Sequence, residues 1–426
     1  MGHTGEPLLD VEDYLGLVLA AVGSARMPDE TVQLADALGR VLAADQPARL
    51  PVPSLTNSAM DGHAIRHADL PGPLPVVADI PAGAVPAPLP PGCAARIMTG
   101  APIPDGADTV VPLEDTFDPS IGPEDLDRDV SDPAGRAADA PTAPVPGGTV
   151  AFAAPVRPGQ HVRFAGEDVQ VGQLVLTKGT RLSARHLAAA AATGTAVLPV
   201  ARRPRVQVIV TGDEIAPLGK DARPGQLPDA NGPYLCGALT RAGAQVAGLD
   251  YCPDQDEALA RALDQTDADL VVVSGGTSAG DHDVARDVLG AAGGRFVRVA
   301  MQPGKPQGCA RWGELPVIAL PGNPVSVAVS FAAFVRPALE LLLGQAPDAP
   351  QTAVAGCAWV SPRGRQQYLP VAVSDDAGRR VIRPATAGGS GSHLIASLAL
   401  ADALAVIPAE TTTVAEGDVF VLLDLP

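Results

Sequence analysis

Residues 271–283 read VVVSGGTSAGDHD. Val271, Val272 and Val273 form a continuous apolar run that ends in Ser274, the pattern of a strand buried on both faces of a parallel sheet. A glycine-rich segment follows, and helical periodicity resumes at Val284. A strand, a tight turn and a helix N-terminus in this order let backbone N–H groups approach a phosphate, and the helix dipole favours the anion. Asp281 and Asp283 would repel a bare phosphate but suit one that arrives with a divalent cation such as Mg2+. The stretch predicts a phosphorylated ligand bound with a metal.

The same alternation extends over 205–340. RVQVIV, AQVAGLDYC, DLVVVS, RFVRVA and LPVIAL read as strands, PYLCGALTRAG, DEALARALDQT and DVARDVLGAAG as helices, and a long helix starts at Pro324. This predicts a doubly wound α/β layer. Ligands of such sheets sit at the carboxyl ends of the strands. That rule singles out TGDEI (211–215), PDAN (228–231), GGTSAGD (275–281), QPGKP (302–306) and LPGNP (320–324). Asp213, Glu214, Asp229 and Asp281 then place four carboxylates on one rim, for metal ligation and a base, or as helix N-caps. Lys305, fixed between Gly304 and Pro306, is placed to hold an oxyanion, and Gln302 can only hydrogen-bond.

The flanks read differently. VEDYLGLVLAAV, capped by Asp10, and TVQLADALGRVLA predict two helices within 10–44. Short apolar runs between Pro and Gly predict a small β-rich region over 72–115, and seven acids against two arginines mark 118–147 as a mobile acidic insertion. Strands are expected at TVAFAAPV and QLVLT, a helix at SARHLAAAAAT, and a separate β domain over 350–426. Asp61 in NSAMDGHAI, Asp168 in RFAGEDV, Arg365 in GRQQYLP, and Ser392 and Ser397 in GSHLIASL are further polar candidates, each also a plausible turn former.

The chain of 426 residues calls for two to four cores, and with 3% aromatics these must be built from Ala, Val and Leu. A net charge of −18 argues against nucleic acid or an anionic membrane as the main partner, so an anionic ligand must be drawn by local cations. Only Lys178, Lys220 and Lys305 are lysines among 30 basic residues. Five cysteines with no CxxC pair suggest reduced thiols. The N-terminus lacks a signal-peptide pattern, and no apolar run is expected to reach the ~20 residues that span a bilayer. Both readings point to the cytoplasm. The histidines show no metal-ligand spacing, and no GxSxG, HExxH or Walker A string is present, which disfavours nucleophilic hydrolase and zinc readings.

Taken together, NSAMDG, RIMTGAPIPDGADTVV, AGEDVQVG, TGDEI, GGTSAGD, PGKP and LPGNPVS resemble the MoeA family, the molybdopterin molybdenumtransferases that include the gephyrin E domain. The resemblance runs in order over nearly the whole chain, apart from the acidic insertion. It implies a homodimer of multidomain subunits. The α/β domain over 201–344 would bind molybdopterin. A linker and dimerisation domain would comprise 8–50 and 151–200, a β-rich domain 51–150, and a β-barrel-like domain 345–426. The implied reaction takes adenylylated molybdopterin and molybdate as substrates, with Mg2+, and releases AMP. A molybdopterin adenylyltransferase is an implied partner.

Carried over by motif, Asp61, Asp168, Glu214, Asp229, Asp281 and Lys305 would be catalytic, with Glu214 and Asp281 as metal ligands. Thr211, Gly212, Asp213, Asn231, Ser274, Gly275, Gly276, Thr277, Ser278, Gly280, Pro303, Gly304, Pro306, Pro321, Gly322 and Asn323 would line the ligand site. Arg365 and either Ser392 or Ser397, with Pro306, would belong to the molybdate pocket. The chain departs from the family pattern at His63, Gln302, Thr277, Ala230 and Pro370; Gln302 and Pro370 each stand where a cation is usual. An altered homologue that binds pterin or nucleotide as a scaffold is the second reading. A nucleotide-handling enzyme such as an adenylyltransferase is the third, and the flanking β domains argue against it.

Overall fold

The computed structural model describes residues 8–24, 26–120, 144–277, 283–376, 378–387 and 389–425. Most of the acidic insertion, together with Ser278, Gly280 and Asp281, lies outside them. The chain forms two compact units. One comprises 1–44, 178–183 and 197–426, and the other 45–177 and 184–196.

The first unit is built on a six-stranded sheet. Its order is Gln245–Cys252, Arg205–Thr211, Leu270–Ser274, Leu315–Leu320, Pro306–Trp312, Arg295–Arg298. The first four strands run parallel, and the last two add an antiparallel edge. Alternation along each central strand divides its side chains between two cores. Val206, Val208, Val210, Leu270, Val272, Ile318 and Leu320 face one core, where Tyr14, Val18 and Val22 of the helix Val11–Val22 also pack. Ile209, Val271, Val273, Val317 and Ala319 face the other, under the helices Asp256–Gln265 and Val284–Ala291. Both faces are therefore covered, and this explains why DLVVVS reads as an unbroken apolar run.

The helix over Pro324–Leu343 passes beneath the sheet and is interrupted by a π-helical turn, Phe331–Val335. Pro337 cannot donate a helical hydrogen bond, and a one-residue widening just before it relieves that mismatch. This segment is long and apolar enough to cross a membrane, contrary to the expectation from sequence, but most of it is buried inside the protein. Phe334 meets Tyr14 edge-to-face at 4.8 Å.

The C-terminal strands close a barrel. Gln366–Asp376, Arg379–Pro384, Gln351–Ala355, Val419–Asp424 and Ala403–Ile407 are successive neighbours, and the last pairs back to the first. A short strand, Met301–Gln302, joins the barrel sheet by pairing parallel with Gln366 and Gln367.

The predicted second helix over 31–43 does not form. Asp29–Gln33 is a strand, antiparallel to Val197–Ala201, followed by a single 3-10 turn. Pro28 and the β-branched Thr31 and Val32 favour an extended start, and the paired strand buries Leu198, Val200 and Ala201. Asp10 does sit at the N-cap position of the first helix, but its side chain makes no capping hydrogen bond.

In the second unit a six-stranded sheet carries Gly62–Ile65 between Thr109–Pro112 and Ala94–Ile97. Its two faces are again filled by alternating small aliphatics, with Ala64 and Val110 on one side and Ile65 and Val111 on the other. Pairs of short strands, Asn57–Ser58 with Val162–Arg163 and Gln46–Pro47 with Leu174–Leu176, and the helix Ala184–Ala192 complete it.

Candidate functional site

The strand-end turns of the α/β layer converge as the open-sheet rule requires. Thr211, Gly212 and Glu214, then Asp229 and Asn231, then Ser274, Gly275, Gly276 and Thr277, then Pro321, Gly322 and Asn323 line one cleft of about 500 Å3, with Pro306 at its border. Asp254 and Asp283 line it too. A second cleft of about 440 Å3 is lined by the whole QPGKP turn, by Arg365 and by Ser326, Ser390, Ser392 and His393. Pro306, Pro321 and Asn323 border both, so the two clefts adjoin.

Backbone geometry fixes the first cleft. Gly275 has φ +105°, and a Cβ there would stand 2.6 Å from Thr211 Oγ1 and 2.8 Å from the Thr211 carbonyl oxygen. Gly212 has φ +129°, and a Cβ there would stand 2.5 Å from Glu214 Oε2. Both φ values favour glycine, and at Gly275 the Thr211 carbonyl also leaves no room for a Cβ, whereas the exposed Glu214 side chain could swing away from position 212. The buried Asn231 staples two turns together, because its Nδ2 donates to Ser274 Oγ at 2.9 Å and to the Gly322 carbonyl at 2.8 Å. Its Oδ1, also buried, has no hydrogen-bond partner among the described residues.

The acidic candidates sit in different settings. Asp229 is buried, and its carboxylate accepts from the backbone N–H groups of Asn231 and Gly232 at 2.9–3.2 Å and from the Tyr251 hydroxyl at 3.0 Å. It thereby ties the start of the helix Asn231–Arg241 to the neighbouring strand. Asp213 and Asp254 hold their turns together by reciprocal hydrogen bonds of 3.2 and 3.3 Å from backbone N–H to carboxylate. Glu214 is exposed at the cleft. Asp254 was not singled out from the sequence, although it follows the strand Gln245–Cys252 and the strand-end rule could have found it.

The second cleft gathers cations. Burial, then Arg298, then Arg365 pull the Lys305 ammonium below its ordinary range, so two guanidinium groups act on this one ammonium. Among the described residues no ion pair neutralises Lys305, Arg298 or Arg365. The turn is held from beneath by the buried Gln307, whose Nε2 donates to the Gly304 carbonyl at 2.7 Å and to Ser330 Oγ at 2.6 Å. The Val299 N–H donates to the Lys305 carbonyl at 2.7 Å. Pro303 and Gly304 are buried beside it. The Ser392 carbonyl accepts from the Val325 N–H at 3.0 Å, which fixes the barrel-side wall. Ser397 lies in the short helix Ile395–Leu398, and its side chain lies outside the described residues. Arg298, Ser390, His393, Gln307 and Gln367 were not read from the sequence as site residues.

Asp61 and Asp168 belong to the second unit, and both are exposed. The N–H and hydroxyl of Thr99 donate to Asp61 Oδ1 at 2.6 and 2.8 Å and hold its carboxyl below the usual range. The Asp168 N–H donates to the Val52 carbonyl at 3.0 Å. His63 is fully buried on the strand Gly62–Ile65, with Nε2 3.0 Å from the Pro144 carbonyl; burial is the main cause of its lowered pKa.

A glycine-walled cleft at strand ends, adjoining a second cleft that holds Lys305 and Arg365, defines an α/β protein of the open-sheet, ligand-binding class. Residues 207–341 match the family described as a probable molybdopterin binding domain. Residues 9–194 match the MoeA N-terminal region (domain I and II), and 352–425 the MoeA C-terminal region (domain IV). Molybdopterin molybdenumtransferase 2 of Mycobacterium tuberculosis is 39% identical over 393 residues, covering 88% of this chain and 89% of that protein. The molybdopterin molybdenumtransferase of a Nostoc species is 33% identical, covering 88% and 84%. A solved molybdopterin biosynthesis MoeA protein of Pyrococcus horikoshii superposes with a TM-score of 0.76 at 26% identity, covering 98% of this chain and 100% of that one. The chain belongs to the MoeA family.

Proposed function

We propose that the chain is a molybdopterin molybdenumtransferase, inserting molybdate into adenylylated molybdopterin with release of AMP. The observation that carries this is the adjacency of the two clefts, one walled by glycine turns and the other by Lys305 and Arg365. Cleaving a phosphoanhydride requires neutralisation of charge and a positioned attacking group. Molybdate is a tetrahedral dianion, suited to an ammonium, a guanidinium and hydroxyl donors. Thr211, Gly212, Asp213, Ser274, Gly275, Gly276, Thr277 and Asn323 are assigned to the phosphorylated ligand, and Lys305, Arg365 and Ser392 to molybdate. Asp229 and Asn231 shape the wall between strand ends.

The donor set fits Mg2+ carried in on a phosphate. No three His, Cys, Asp or Glu groups among the described residues could hold a metal by themselves. Mg2+ commonly takes one or two protein carboxylates and completes its shell with phosphate oxygens and water. Glu214 and Asp281 are the proposed ligands, and the ion would supply neutralisation of phosphate charge. Asp61 and Asp168 are proposed to complete the catalytic set. We also propose the division into 8–50 with 151–200, 51–150, 201–344 and 345–426, a homodimer, a cytoplasmic location, and an adenylyltransferase as source of the substrate.

The test is AMP release from adenylylated molybdopterin, with and without molybdate. Wild type should turn over only with molybdate, and Lys305→Ala and Asp281→Asn should each lose at least about a hundredfold. Full activity in both variants would remove the site assignment. Binding without turnover in wild type would favour a scaffold.

A further inference from the structure

We propose that Ser390 is a further oxyanion-binding residue of the cation-lined cleft, oriented by the buried amide of Gln367; this deepens, and rests on, the reading of that cleft as the molybdate site. Ser390 lines the cleft and is 7% exposed, and Gln367 is 5% exposed. Gln367 Nε2 donates to Ser390 Oγ at 3.0 Å. A hydroxyl has one hydrogen and two lone pairs. With one lone pair occupied by the amide hydrogen, the serine's own hydrogen remains to be given. Among the described residues nothing accepts it.

The strand that bears this amide is in turn held by the fold. Gln367 stands in register with Gln302, the first residue of the lysine-bearing turn, and with Ile407 across the barrel. The strand that carries the orienting group is thus the strand paired to the turn that carries Lys305. A hydroxyl with its lone pair occupied, lining the same cleft as Lys305 and Arg365, is a donor that no described residue engages and that an entering anion can accept from. A hydrogen bond to a dianion is charge-assisted and about twice as strong as a neutral one. With Gln302 unable to contribute charge, an oriented neutral donor is a physical means of recovering affinity. The ligand class is a tetrahedral dianion, molybdate or tungstate alike.

The test measures binding of molybdate alone to the full chain by equilibrium dialysis, with thermal unfolding run in parallel. Ser390→Ala is expected to weaken binding about tenfold at an unchanged melting temperature, the loss of one charge-assisted hydrogen bond. Ser390→Thr, which keeps the hydroxyl, is expected to bind within about threefold of wild type, as a merely structural role would not require. Gln367→Met, which removes the orienting donor, is expected to fall between them. Should Ser390→Ala fail to fold, Ser390→Cys weakens the donor at similar size and replaces it. If Lys305→Ala binds less but Ser390→Ala binds as wild type does, the inference fails and the reading of the cleft stands. If Lys305→Ala also binds as wild type does, or wild type binds no molybdate, both fail.

Discussion

Alanine at position 275 should cripple the phosphate-side cleft. Gly275 has φ +105°, outside the region that side chains tolerate, and its Cβ would meet Thr211 Oγ1 at 2.6 Å and the Thr211 carbonyl at 2.8 Å. The hydroxyl can rotate aside, but the carbonyl belongs to the central strand and cannot. Strained backbone costs about 1–3 kcal/mol, and overlap in a packed site about 1–3 kcal/mol more, so about 2–6 kcal/mol in all. Gly313 provides the control in the same unit. It lies in the turn between Pro306–Trp312 and Leu315–Leu320 at φ +60°, with no atom within 4 Å of a would-be Cβ. Gly313→Ala should cost only the left-handed conformation, about 1–2 kcal/mol. The assay is urea unfolding followed by fluorescence of Trp312 and Trp359, both in this unit, beside AMP release. A turn displaced by about 1 Å should cost on the order of a hundredfold in turnover, whereas Gly313→Ala should turn over normally. Equal stability of the two variants, with normal turnover in Gly275→Ala, would refute the close approach on which the cleft is built.

Two further outcomes depend on pH. Burial, Arg298 and Arg365 lower the Lys305 pKa from 10.5, so its ammonium is lost at a lower pH than that of a free lysine. Molybdate affinity should therefore fall as pH rises, beginning below 10.5, and Lys305→Arg should flatten that limb in equilibrium dialysis. Burial lowers the His63 pKa from 6.5, so the unfolded chain takes up a proton before the folded one does. The contribution of His63 to stability is whole above 6.5 and is lost as pH falls from 6.5 through the lowered folded-state pKa. His63→Phe should therefore lose less stability than wild type between about pH 7.5 and 5, read as hydrogen exchange in Gly62–Ile65. A larger loss in the variant would count against this.

The parts of the fold that depend on local pattern were legible. DLVVVS could hardly be anything but a doubly covered strand, and the turns after the parallel strands do line one cleft. Three features were hidden for separate reasons. Thr31–Ala43 contains enough Ala and Leu to look helical, and only its pairing with Val197–Ala201, far along the chain, decides the matter. The strand Pro306–Trp312 has no alternation and begins at a proline, so the antiparallel edge of the sheet was missed. Closure of the barrel depends on Gln367–Val371 meeting Ala403–Ile407, which no spacing announces; the barrel-like domain was expected from the family resemblance alone, and it forms. At the site, residue types that attract suspicion, such as Asp and Lys, were found readily. Asp229 proved to have its lone pairs occupied by the helix start and Tyr251, a use that depends on geometry. Gln307 and Gln367 were overlooked because an amide in a strand is unremarkable until its neighbours are known.

The six residues from Met301 to Pro306 are threaded between two architectures. Their first two residues are laced into the barrel, and their last opens a strand of the α/β sheet. Lys305 therefore rides on a seam. A barrel transplanted from a distant relative would shift the ammonium even if every cleft residue were kept, so the two parts must diverge in step, and grafting between homologues should respect the seam as a single cassette.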